Sequence, residues 1–173
     1  MLARRRKHVT PVRPAELPPD ALLQRYRADG HYTDCYATEI GRAVSLAEYV
    51  AAFYTTWLFR LERWILRVAV SRPSSDADAA ALARGEREDF AAWTVEARRP
   101  DELLLTEFTG RTRSWLRATP AAGGTRLYFG SAVTTVRDPE TGRAGLGAHG
   151  SLLPLHRLYS RRLLAAARRR LLR

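Results

Sequence analysis

Residues 103–172 constrain the fold more than any other stretch of the chain. Two β-patterned runs, 103–116 and 125–136, flank the turn signal Pro120-Ala121-Ala122-Gly123-Gly124, and residues 152–172 follow as one amphipathic helix. A hairpin and a long helix bury their apolar faces by closing on each other. Such a closure can enclose an apolar pocket, so small-molecule binding is the natural expectation. The same stretch contains no evident catalytic set.

Upstream, residues 31–44 alternate Tyr32, Asp34, Tyr36, Thr38 and Ile40 against Thr33, Cys35, Ala37 and Glu39, which predicts a first strand. Ser45-Leu46-Ala47-Glu48 is a capping-box pattern opening a helix. Its apolar stripe runs through Tyr49, Val50, Phe53, Tyr54 and Trp57 and continues, after a bend near Thr55-Thr56, through Leu58, Leu61, Ile65 and Val68. Arg60, Arg63 and Arg67 fall on the other side. Residues 76–84 predict a helix stopped by Gly85, and residues 90–98 a further strand. A short helix is expected over 20–27, a turn over 138–142 and a flexible loop over 142–150. Strands in runs, without regular βα alternation, give an α+β fold: a curved antiparallel sheet wrapped around a long C-terminal helix. Gly110 and Gly130, inside strand patterns, are expected to bend the sheet. Residues 1–20, basic and carrying Pro11, Pro14, Pro18 and Pro19, are expected to be a mobile tail, with 21–173 as one domain.

The formal net charge of +11 sits at the ends. Arg4, Arg5, Arg6, Lys7 and Arg13 precede any acid, and Arg161, Arg162, Arg168, Arg169, Arg170 and Arg173 close the chain without one. The remaining 18 basic residues are matched by 18 acidic ones. A nucleic-acid reader concentrates its basic residues on the folded face, so no specific nucleic-acid partner is expected. No apolar run reaches the length of a membrane span, and the single Cys35 suits a reducing cytoplasm.

The order of elements resembles the helix-grip fold of the START and birch-pollen-allergen (SRPBCC) superfamily, in an uncharacterised bacterial branch. The resembling segments are Ala52-Phe53-Tyr54-Thr55-Thr56, Gly110-Arg111-Thr112-Arg113-Ser114-Trp115-Leu116, residues 124–133 (GTRLYFGSAV) and Leu155-His156-Arg157-Leu158-Tyr159-Ser160. The resemblance implies a ligand-binding or ligand-modifying domain and assigns no catalytic residues.

Candidate residues follow from the expected pocket. Trp115, Leu127 and Phe129 supply apolar walls, Ser131 an isolated polar anchor, and His156 with Tyr159 a shared face of the terminal helix. His156 is either a proton-transfer group or a hydrogen-bonded histidine between helix and sheet, the latter favoured because spacing assigns it no partner. If Trp115 faces inward, Arg111 and Arg113 accompany it and can bind an anion. If Leu116 faces inward they form a solvated ladder, which is favoured because burying unpaired arginines is costly. His8, His31, His149 and His156 lack metal-ligand spacing, and no phosphate loop or nucleophile elbow occurs, so no metal or cofactor is expected. The preferred function is binding of a small apolar or amphipathic molecule. The alternatives are an enzyme using the same cleft, with His156, Tyr159 or a first-strand acid moving a proton, and a membrane-surface accessory using the basic stripes Arg161/Arg168 and Arg162/Arg169.

Overall fold

The computed structural model describes residues 9–71, 73–137, 144–145 and 149–173. In chain order the elements are β1 (Arg13–Pro14), α1 (Gln24–Ala28), β2 (Tyr32–Ile40), α2 (Leu46–Tyr54), α3 (Trp57–Val70), α4 (Asp76–Arg84), β3 (Asp89–Phe90) and β4 (Trp93–Arg99). They continue with β5 (Glu102–Glu107), β6 (Thr112–Ala121), β7 (Gly124–Val133), β8 (Val136–Arg137), β9 (Ala144–Gly145) and α5 (His149–Leu171). Seven strands form one antiparallel sheet in the order β1-β2-β7-β6-β5-β4-β3. The sheet is curved and unclosed, and α5 lies along β2 and β7, so the α+β helix-grip architecture holds.

Local chemistry explains where the helices begin. The Ser45 hydroxyl accepts the Glu48 N–H while the Glu48 carboxylate accepts the Ser45 N–H, the expected capping box. Ser75 and Asp78 repeat it for α4. The bend at Thr55-Thr56 is a true break, because Thr56 Oγ1 accepts the Phe59 N–H at 3.2 Å and so starts a new helix.

Three expectations over the sheet need correction. Residues 103–116 are two strands, not one: the chain turns at 108–111 with Gly110 at φ +71°, a conformation a side chain disfavours. Gly110 therefore sits in a turn and does not bend a strand. Gly130 makes room instead, since a Cβ there would lie 2.9 Å from Trp115 Cε3 on the paired strand. The irregularity lies in β4, where the register with β5 shifts between Val95 and Ala97 and turns Glu96 outward.

The second correction concerns residues 9–20. Val9 bridges Ile40, the Thr10 N–H donates to Glu39 O while the Thr10 hydroxyl accepts the Glu39 N–H, and β1 pairs with Tyr36 and Ala37. The chain then crosses the outer face of the sheet as a strap and buries Leu17. Proline suits this edge, where no ladder donor is needed. Residues 1–8, the turn over 138–142 and most of the loop over 142–150 lie outside the described residues.

The third correction concerns the two faces. Tyr36, Ile40, Leu103, Leu105, Leu116, Leu127 and Phe129 face the helices, where Tyr49, Phe53 and Tyr54 of α2 and Leu163 and Leu164 of α5 meet them. Leu104, Trp115, Cys35 and Ala132 face the other way, under Leu17, Ala21, Leu23 and Tyr26. Leu116 thus points to the helices, as favoured, but the arginines beside Trp115 are not a solvated ladder. Arg113 bonds Glu96 and Tyr26, and Arg117 bonds Asp20 and Asp101.

Candidate functional site

The β2–β7 register sets Asp34 opposite Ser131 on the helix-facing side, and α5 lays His156 over them. Ser131 donates its hydroxyl proton to Asp34 Oδ1 at 2.6 Å, and its backbone N–H reaches the same oxygen at 3.1 Å. With that proton committed, the 2.7 Å contact between Ser131 Oγ and His156 Nε2 requires the imidazole Nε2–H to donate. Nε2 also lies 3.7 Å from Asp34 Oδ2. Tyr32 donates to Asp34 Oδ2 at 3.3 Å, and Arg157 Nε donates to the Tyr32 oxygen at 3.0 Å with its guanidinium over the ring.

A chain of contacts therefore runs Arg157–Tyr32–Asp34–Ser131–His156. It contains serine, histidine and aspartate, but in an order unsuited to acyl transfer. The serine stands between the other two, its proton is given to the carboxylate, and it is only 1% exposed. A nucleophilic serine needs a histidine that accepts its proton and a path for substrate. The cluster instead fixes side chains at the end of the sheet.

That end opens onto a groove of about 500 Å³ between β2 and the strap. Pro14, Ala15 and Leu17 form one wall, and Tyr32, Asp34 and Tyr36 the other, with Arg27 and Arg157 at the rim. The groove exists because β1 covers β2 only at Tyr36 and Ala37, and the backbone bonding of the described strap to β2 ends with the Ala15 N–H on Cys35 O at 3.0 Å. Beyond it the strap dives to the outer face. Burial raises the Tyr32 phenol, and pushes the Tyr36 phenol and the Cys35 thiol up to about 12. All three stay protonated at neutral pH, and Cys35 is no nucleophile.

Of the expected site residues, the structure brings Ser131 and His156 together and separates the rest. Trp115 lies on the outer face, its indole N–H bonded to Glu102 at 2.7 Å, so it shares no pocket with Leu127 and Phe129. Those two are core residues, with the Phe129 ring 4.8 Å from that of Phe53. Side chains of α2 occupy the space between sheet and α5, and Tyr54 OH meets Ser114 Oγ at 3.2 Å within it. Tyr159 turns toward α3 and bonds the Glu62 carboxylate. Desolvation raises Glu62, while Tyr159 and the Trp93 indole N–H beside it act in the opposite sense. Burial raises the Tyr159 phenol as well.

Tyr32 and Arg157 are the groups that residue patterns left unassigned, and Asp34 entered only as a first-strand acid without a partner. Their signal was present in β2: Asp34 is the one acid on a strand face otherwise made of Tyr32, Tyr36, Thr38 and Ile40. An acid there must find donors.

A second feature lies on α3. Trp57, Leu61, Trp64, Ile65 and Val68 are exposed, the two tryptophans by 68% and 62%. No described helix is long and apolar enough to cross a membrane. Among the described residues no cluster of three or more His, Cys, Asp and Glu side chains is arranged to hold a metal ion. Comparisons of the chain with protein-family models, with curated proteins and with solved structures give no match.

Proposed function

We propose that the protein binds a small amphipathic molecule with an anionic end in the groove beside β2, as a binder and not an enzyme. The groove itself carries this reading: about 500 Å³ of concave space, with Pro14, Ala15 and Leu17 beside Glu16 along the strap, Asp34 already bonded to Ser131 and Tyr32, and a guanidinium fixed at the rim. This size suits a small ligand, and mostly apolar walls with few placed polar groups are what such sites require. Arg157 is oriented by its Nε bond to Tyr32, which leaves its terminal nitrogens at the exposed end. A carboxylate or phosphate there gains charge-assisted hydrogen bonds, while the apolar body of the ligand lies on Pro14, Ala15 and Leu17. Kinship with the START-like helix-grip proteins is part of the same proposal, resting on the sheet-and-helix arrangement and the resembling segments. Here the ligand lies at the rim of the grip, since side chains fill the interior. A buried, protonated Cys35 suits work in a reducing cytoplasm.

A thermal-shift screen of fatty acids, aromatic carboxylates and their neutral alcohols tests the proposal. At a hundredfold excess over Kd a bound ligand stabilises by about 2.7 kcal/mol. The acids should raise the melting temperature more than the alcohols, and Arg157→Ala should weaken binding about tenfold. Acids that leave the melting temperature unchanged, or bind equally to the Arg157→Ala protein, refute it.

A further inference from the structure

We infer that the outer face of α3, with the adjoining leucines of α5, is a docking surface for an anionic lipid bilayer. Residues 57, 61, 64, 65 and 68 fall on one side of a helix. In most surface helices that apolar side faces the core. Here it faces solvent, and the opposite side is tied down: Phe59 is buried, Glu62 accepts from Tyr159, and Arg63 bonds Tyr54 O, Ser74 O and Asp76. The helix therefore cannot bury its stripe by rolling without breaking these bonds.

The patch extends onto α5. Leu155 lies one turn before Tyr159, which touches α3 through Glu62, and Leu158 lies beside it; both leucines are exposed. The free charge around it is basic. Arg67 and Arg162 are exposed beside the patch, α5 has no acid, the one acid of α3 is the covered Glu62, and Asp76 of α4 is already paired with Arg60 and Arg63. Two tryptophans, aliphatic side chains and an arginine rim match an interface in which apolar groups enter the acyl boundary and guanidinium groups meet lipid phosphates. A second copy of the chain fits poorly, because apposing two such faces sets arginines against arginines, and the acid beside them, Asp76, is already taken by Arg60 and Arg63.

The full chain is mixed with vesicles of phosphatidylcholine alone or of phosphatidylcholine with phosphatidylglycerol, and binding is followed by flotation and tryptophan emission. Vesicles containing phosphatidylglycerol should float the protein and shift its emission to the blue, an effect that weakens as salt is added. Trp64→Glu should lower vesicle affinity by about tenfold or more, and Arg67→Glu by a smaller factor, with unchanged circular dichroism. Ile65→Gln is the substitute should Trp64→Glu disturb folding. The inference is overturned if anionic vesicles fail to float the protein at low salt. It is also overturned if both variants bind like the parent, or if sedimentation shows a dimer that Trp64→Glu converts to monomer. Groove binding of acids should persist in Trp64→Glu, since α3 does not line the groove.

Discussion

The two faces of the sheet are buried by different means. The inner face is covered by helices, whose backbone groups are satisfied internally, so its centre is packed by apolar contacts, Phe53 on Phe129 and Tyr54 on Phe59 and Phe90, with the Asp34–Ser131–His156 cluster confined to one end. The outer face is covered by a strap with little internal hydrogen bonding, which must borrow partners from the sheet. Glu102 is the main lender. Its fully buried carboxylate accepts the Leu22 N–H at 2.9 Å, the Trp115 indole N–H at 2.7 Å and an Arg99 guanidinium N–H at 2.9 Å. Arg113 with Glu96 and Tyr26, and Arg117 with Asp20 and Asp101, repeat the device at the surface. A helical cover can rest on shape, whereas an extended cover depends on a few charged side chains.

That contrast has measurable consequences. Phe53→Ala should have the largest effect, about 4 kcal/mol in a denaturant titration, because it opens a cavity in close-packed aromatics. Glu102→Ala should cost about 3 kcal/mol, since it strands two buried donors. Its signature should be local, with faster amide exchange at Leu22 and a shifted Trp115 indole N–H resonance. A Glu102→Ala protein that loosens both faces equally would abolish the distinction drawn between them. Glu96→Gln should cost about 1–2 kcal/mol, discounted because Arg113 and Glu96 keep some contact with water.

The smallest effect should be a pH dependence at the strap. The Arg117 guanidinium lowers the Asp20 carboxyl from 3.8 to about 2. A depressed carboxyl favours the folded form at pH values above its ordinary range, and the benefit disappears as pH falls through the folded value. The Asp20–Arg117 contact should therefore hold at neutral pH and open between about pH 4 and pH 2. Asp20→Asn should remove this step from an acid titration followed by strap amide exchange.

Periodicity made much of the inner face legible. The alternation of β2, the capping box at Ser45, the helix stop at Gly85 and the long α5 all follow from local patterns, whereas the box at Ser75, closed by Asp78, emerges only in the structure. Alternation in β6 left two orientations open, because the choice between Trp115 and Leu116 depends on what covers each face. The cover of Trp115 comes from residues 17–26, which composition alone assigns partly to a tail. Proline and charge make that stretch unable to form a core by itself, yet the sheet supplies what it lacks. The Asp34–Ser131–His156 cluster was hidden for a similar reason: Asp34 and Ser131 are 97 residues apart, and only the β2–β7 register joins them.

The order of the strands also sets an order in time. β5, β6 and β7 form a meander of short connections, so their pairing closes small loops and can precede the rest. β2 must then be captured against β7 across three intervening helices, a long loop closure that should govern the folding rate. The strap can settle only once β2 offers its edge and Trp115 its indole. Substitutions in the strap should accordingly speed unfolding while leaving refolding almost unchanged, whereas those at the β2–β7 seam should slow refolding.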